Sequence, residues 1–186
     1  MSRFEISDSR IEGLKVIQRH KVGDSRGFLS RLFCQDTLSR AGWGKPISQI
    51  NHTFTSRRGT VRGMHFQHPP RAEAKLVTCL VGAIWDVAVD IRTRSPTFGQ
   101  WHAVELTEDN AVSFLIPEGF AHGFQALSDN VQMLYCHSEA YAPDVEGGLN
   151  PLDPRLNIKW PLALAEISQR DQNHPMLSDA FKGVDL

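Results

Sequence analysis

The chain has 186 residues, enough for one domain with a sizeable core and too few for two ordinary ones. Hydrophobic residues at 41% and charged residues at 22% exclude a disordered chain. Lys+Arg 20 against Asp+Glu 21, a formal net charge of -1, exclude the broad basic surface of a nucleic-acid binder and leave room only for a local basic pocket.

In chain order, residues 1–12 are polar and mixed in charge, which is not the pattern of a signal peptide. No apolar run approaches the roughly 20 residues that span a bilayer, so a cytoplasmic protein without a membrane partner is expected. Cys34, Cys79 and Cys136 are odd in number and widely spaced, with no Cys-x-x-Cys pair. They read as buried, reduced thiols rather than a disulfide frame or zinc site. Residues 36–41 form a short helical or turn segment. Strands follow at 47–54, 59–67, 75–80, 83–92, 112–116, 119–127 and 131–138, separated by Gly, Pro, Asn and Asp turns. A second helical or turn segment falls at 163–169. With no repeat, low-complexity stretch or linker, the pattern predicts a single all-β domain over 1–186, a sandwich or barrel.

Strand periodicity assigns faces. In 83–92, Ala83, Trp85, Val87, Val89 and Ile91 share one side; Ile84, Asp86, Ala88, Asp90 and Arg92 share the other. On an average sheet the charged side would face water, but in a small barrel it can line a ligand cavity. Gln49 shares a face with Asn51, His65 with Gln67, Lys75 with Val77 and Cys79, and Tyr135 with Met133 and His137. Arg62 falls opposite His65 unless Gly63 marks a bulge.

Three stretches carry more polar and glycine residues than strands need: Gln49–Asn51 leading into Arg62-Gly-Met-His65-Phe-Gln67, then 75–90, then Pro117-Glu-Gly-Phe-Ala-His122-Gly-Phe124. The Pro-x-Gly-x-x-His run is a recurring signature of cupin barrels, where the histidine often binds a metal. A metal site needs three or four converging ligands. His65 and His68 fall on opposite strand faces and the next acid is Glu73, so no metal is expected.

Taken together, Asp24-Ser-Arg-Gly-Phe28, Gln49-Ile-Asn51, Arg62-Gly-Met-His-Phe-Gln67, Lys75-Leu-Val, Asp86-Val-Ala-Val-Asp-Ile-Arg92, Ser95-Pro-Thr-Phe-Gly99, Pro117 to Phe124, Tyr135 and Ile167-Ser-Gln-Arg-Asp171 resemble the dTDP-4-dehydrorhamnose 3,5-epimerase family. They occur in the family's order over most of the chain. The resemblance implies a cupin-type jelly-roll β-barrel with a few short helices, a homodimer, and cofactor-free epimerisation of a nucleotide-linked 4-keto-6-deoxy sugar. In the matching motifs His65 takes the place of the base, Asp171 of its partner, Tyr135 of the acid on the opposite face, and Lys75 of the cation at the enolate oxygen. Arg26 and Arg62 match diphosphate contacts. Gln49, Asn51, His122, Glu146 and Arg170 match further substrate contacts, and the neighbouring subunit's N-terminal residues complete the family's nucleotide pocket. His68, His102 and His137 are left as structural.

The sequence departs from the family at recognition positions. Arg31 stands where Glu is usual, Arg170 where Lys is usual, Tyr141 where two tyrosines are frequent, and Asn150-Pro-Leu-Asp-Pro154 lacks a usual Trp. These changes leave the proton-transfer set intact and point to an altered nucleotide, altered sugar substituents, or action at one carbon. A metal-dependent cupin enzyme and a non-catalytic sugar-binding barrel are the alternatives of other classes.

Overall fold

The computed structural model describes residues 3–186; Met1 and Ser2, the start of the polar N-terminal stretch, lie outside the described residues. The chain opens with β1 (Phe4–Asp8), β2 (Lys15–Arg19) and a small hairpin, β3 (Val22–Asp24) and β4 (Gly27–Leu29). A helical turn, α1 (Gln35–Leu38), continues as a 3-10 turn at Ser39–Ala41, matching the expected segment. Then come β5 (Gln49–Thr55), β6 (Thr60–Gln67), β7 (Lys75–Val81), β8 (Ala83–Asp90), β9 (Trp101–Thr107), β10 (Val112–Ile116), β11 (Phe120–Ala126) and β12 (Val131–His137). Two short strands, β13 (Glu146–Gly148) and β14 (Glu166–Ile167), and a last turn, α2 (Gln169–Gln172), complete it.

The long strands form two sheets. One has the order β1-β2-β10-β7-β12-β5, the other β13-β6-β11-β8-β9, with β14 running parallel to the edge of β6. The pairs within the two main orders are antiparallel, so neighbouring side chains alternate between the space enclosed by the sheets and their outer faces. The enclosed space holds Val77, Ile84, Ala88, Leu106, Phe114, Phe120, Phe124, Met133 and Tyr135. Phe114 has no exposure; truncation to Ala removes a large apolar surface and leaves a cavity, costing about 3–5 kcal/mol.

Parts of both outer faces are also covered. Leu149, Leu156, Ile158, Leu177 and Val184 from the C-terminal third pack on Val87 and Val89 of β8 and on Ile91 just after it. Phe4, Leu38, Ala41 and Trp43 pack on Leu76, Leu115 and Cys136 of the other sheet. Two-sided burial explains why β7 reads as a nearly unbroken apolar run rather than an alternating one.

It also decides the β8 question. Asp86 and Asp90 are both 0% exposed, so the charged side of this strand does not face water. Asp90 accepts bonds from Arg92, Ser95 and Thr97 (2.9, 2.6 and 2.5 Å), and Asp86 lies inside the barrel.

Three expectations need correction. Cys79 and Cys136 are buried free thiols, but Cys34 is half-exposed at the start of α1. The segment 163–169 is not helical: it holds β14, and α2 begins only at Gln169, after Ser168 caps it by accepting a bond from the Asp171 amide. Strand β9, rich in alternating residues at 101–107, was not among the expected strands.

Candidate active site

The site begins with an irregularity in β6. Across the ladder with β11, His65 pairs with His122 and Arg62 with Phe124, so β6 carries one extra residue at Gly63–Met64. The bulge reverses the alternation, and Arg62 and His65 both turn into one cavity. Gly63 has φ +122°, and a Cβ there would stand 2.4 Å from the Cα of Gly123. The strands approach this closely only because both positions are glycine.

The cavity, about 190 Å³, lies between the sheets. Arg62, His65, His122 and Phe124 line it from one sheet; Asn51, Thr53, Lys75, Tyr135 and His137 line it from the other. Drug-sized pockets start at roughly 300 Å³. This one suits a ring-sized portion of a ligand whose remainder extends from the open mouth.

On the His65 side, Nε2 lies 2.8 Å from Asp171 Oδ1. An ionised carboxylate only accepts, so Nε2 carries the proton and Nδ1 has the free lone pair. Asp171 is fixed in turn: its Oδ2 accepts the Gly63 amide at 3.1 Å, and its own amide is held by the Ser168 hydroxyl at 3.0 Å. Burial works to raise the Asp171 carboxyl, but the bonds and charge from His65, with the Gly63 and Ser168 bonds, hold it below the ordinary range. His174 stacks edge-on against His65 with ring centroids 5.5 Å apart.

On the facing wall, Tyr135 is buried between two histidines: it stacks on His137 at 5.9 Å and meets His122 edge-on at 5.8 Å. Its hydroxyl lies 3.6 Å from the thioether sulfur of Met133, a weak acceptor. Burial, reinforced by the charge of Asp86, pushes this phenol well above its ordinary range, so it stays protonated at neutral pH. His122 Nε2 lies 2.7 Å from Asp86 Oδ1, and burial pushes Asp86 up.

Lys75 reaches the cavity through a buried network. Its ammonium lies 3.0 Å from Glu73 and donates to the His65 carbonyl at 3.2 Å. Glu73 also accepts from His137 Nδ1 at 2.8 Å, while His137 Nε2 faces the Asn51 amide at 3.4 Å. Burial works to raise the Glu73 carboxyl, yet the Lys75 charge and the His137 bond prevail and hold it at about 2. The network continues from Asn51 to Gln49 at 3.0 Å, and Gln49 accepts the Tyr141 amide at 3.0 Å.

Thus the structure brings His65, Asp171, Tyr135, Lys75, Asn51, Arg62 and His122 together. Gln49 stands one residue behind the lining. Glu146, on β13 beside β6, pairs with Arg170 and accepts from the Tyr141 hydroxyl at 2.8 Å. Arg26 does not line the cavity; it sits on the β3–β4 hairpin, 88% exposed and paired with Asp24. The sequence reading missed Thr53, Phe124, Glu73 and His174, and it set His137 aside as structural although it lines the cavity. Period-two alternation carried the signal for Thr53 and His137, which share the faces of Asn51 and Tyr135. Nothing local marked Glu73 or His174.

The model of one protein family, dTDP-4-dehydrorhamnose 3,5-epimerase, matches residues 8–179. The chain belongs to this family. It is 41% identical over 173 residues to the dTDP-4-dehydrorhamnose 3,5-epimerase of Salmonella typhimurium, covering 92% of this chain and 94% of that one. It is 40% identical over 172 residues to the dTDP-4-dehydrorhamnose 3-epimerase of Streptomyces niveus, covering 91% and 82%. Among solved structures, the Legionella pneumophila dTDP-6-deoxy-D-glucose-3,5-epimerase in complex with dTDP-4-keto-L-rhamnose superposes with a TM-score of 0.92 at 37% identity, covering 98% of each chain. The two-sheet barrel is therefore a cupin-type jelly roll, and the chain is an enzyme of the isomerase class.

Proposed function

We propose that this epimerase acts on dTDP-4-dehydro-6-deoxyglucose, inverting C3 and C5 to give dTDP-4-dehydrorhamnose, with every reacting group supplied by the polypeptide. The observation that carries the reading is that His65 and Tyr135 line one cavity from opposite sheets. Inversion next to a ketone needs a base on one face of the ring and an acid on the other.

In the proposed reaction His65 Nδ1 takes the proton from the carbon beside the C4 ketone, and the C–H electron pair passes to the ketone oxygen as an enolate. Asp171 fixes the tautomer that leaves Nδ1 free and supports the imidazolium that forms. Lys75 stabilises the enolate oxygen, with His122 as a further donor. Tyr135 then delivers its proton to the opposite face, the carbonyl reforms, and solvent restores both groups. A tyrosine phenol is protonated at neutral pH and so arrives with the proton it has to give.

Arg62 serves the diphosphate at the cavity mouth, where a guanidinium gives paired, charge-assisted bonds. Gln49, Asn51, Glu146 and Arg170 form the surrounding recognition network. Arg26 acts across a homodimer interface in this reading. Support comes from the hairpin itself, which exposes Val22, Phe28 (64%) and Leu29 beside Arg26 as an apolar face suited to a second subunit.

A second reading is inversion at a single carbon, since the chain is about as similar to the Streptomyces niveus 3-epimerase, at 40% identity, as to the Salmonella typhimurium 3,5-epimerase, at 41%. One experiment tests both. Enzyme incubated with dTDP-4-dehydro-6-deoxyglucose in D2O is followed by proton NMR. Loss of the C3 and C5 signals is expected, loss at C3 alone supports the second reading, and no exchange at either carbon contradicts both.

A further inference from the structure

Behind the His65–Asp171 pair lies a third ligating group that the proposed reaction does not use. His174 follows α2, and its ring lies flat over Gly148, where any Cβ would stand 2.4 Å from ring atoms. The glycine makes the room in which this imidazole sits. His174 Nε2 is buried and has no hydrogen-bond partner among the described residues, although it lies 3.9 Å from Asp171 Oδ1. A buried nitrogen without a partner forfeits its hydration, and such a group calls for an occupant. One ligand atom from each of His65, Asp171 and His174 falls within 4.8 Å of the others, His65 supplied by β6 and the other two by neighbouring turns at and after α2.

We propose that these three side chains form an inhibitory site for a borderline divalent transition-metal ion, of which Zn2+ is the natural example. The donor set is two imidazoles and one carboxylate, the set such ions take with a water in the fourth position. Ligand distances of about 2.0–2.2 Å require His65 and Asp171 to open slightly from their 2.8 Å contact and His174 to move in from 3.9 Å. Burial, followed by the positive charge on His65 when it is protonated, keeps His174 below the ordinary histidine range, so its lone pair is available at neutral pH.

The chemical consequence follows from the tautomer. In the working arrangement the His65 proton sits on Nε2, against Asp171, and the Nδ1 lone pair faces the cavity. A metal takes the Nε2 lone pair and displaces that proton, so the neutral ring carries its hydrogen on Nδ1. Facing the substrate, the imidazole then donates instead of accepting. It cannot remove a proton. Inhibition rests on the proposed role of His65 as base, whereas binding of the ion does not.

The test uses chelator-treated full-length enzyme and two readouts. Titration with Co2+, whose visible bands intensify in a low-coordinate site, is expected to show one equivalent bound, and calorimetry with Zn2+ the same stoichiometry. His174→Ala is expected to weaken both by at least tenfold. His174→Gln, which keeps the bulk over Gly148, serves as the second variant should the first fail to fold. In the activity arm, Zn2+ is expected to slow epimerisation over the concentration range in which it binds, reversibly on adding chelator, with the inhibition constant raised at least tenfold in the His174 variants relative to each protein's own metal-free rate. Binding unchanged in both variants, or no ligand-field change with Co2+, overturns the site. Binding that depends on His174 but leaves turnover untouched upholds the site and contradicts His65 as the base.

Discussion

The barrel cavity and the β3–β4 hairpin show two ways of building a recognition surface. In the cavity three of the polar groups are held by carboxylates of the same chain: His65 by Asp171, Lys75 by Glu73, His122 by Asp86. On the hairpin, Arg26 pairs with Asp24 two residues away, and the neighbouring Phe28 and Leu29 face solvent. The first arrangement is preorganised and acts where charge develops in a reaction. The second leaves its apolar and cationic side chains open to a partner surface. The difference separates residues that govern turnover from residues that govern binding.

Substitutions sharpen that division, beginning with the largest effect. His65→Ala is expected to lower kcat by about 10²–10⁴-fold with KM little changed, measured by coupled assay of the epimerised product. Lys75→Met removes the cation at the enolate oxygen, and a loss of about 10²-fold in kcat is expected. This variant also leaves Glu73 with only His137, so its melting temperature is read alongside. Arg26→Ala, on the hairpin, is expected to raise KM by about tenfold at nearly constant kcat. An equal fall in kcat would break the comparison, because it would put the hairpin inside the reacting constellation.

The smallest effect concerns stability in acid. Glu73 is held at about 2 in the fold against its ordinary 4.5. A depressed carboxyl stabilises the fold above the unfolded value, and that stability is lost as pH falls through 4.5 toward 2. Thermal melts are expected to fall over this window in the parent protein. Glu73→Gln is expected to melt lower at neutral pH with a flatter acid dependence.

Much of the cavity was legible in the sequence because strands have a period of two. Alternation grouped Lys75 with Val77 and Cys79, and Tyr135 with Met133 and His137, and each group lies on the enclosed side of its strand. His65 and Arg62 violate that period, and only Gly63 hinted at the bulge that reconciles them. Asp86 could be read either way; burial on both faces of β8 is a tertiary fact that its own alternation does not encode. Glu73 precedes β7 and His174 follows α2, so neither falls on a periodic element. Their relevance arises from long-range packing, Glu73 against His137 and His174 against Gly148. Strand β9 was missed although it alternates, since its residues are mostly half-buried and mixed in polarity.

The central claim is that two side chains on opposite sheets serve opposite faces of one sugar ring. Tyr135→Phe tests it most directly, with exchange and inversion followed together by NMR of the nucleotide sugar in D2O. The expected result is continued wash-in of deuterium at the carbon beside the ketone, with configuration retained, because the enolate still forms and is reprotonated only from the His65 side. Inversion at the parental rate in this variant, or loss of exchange equal to that of His65→Ala, would contradict the claim.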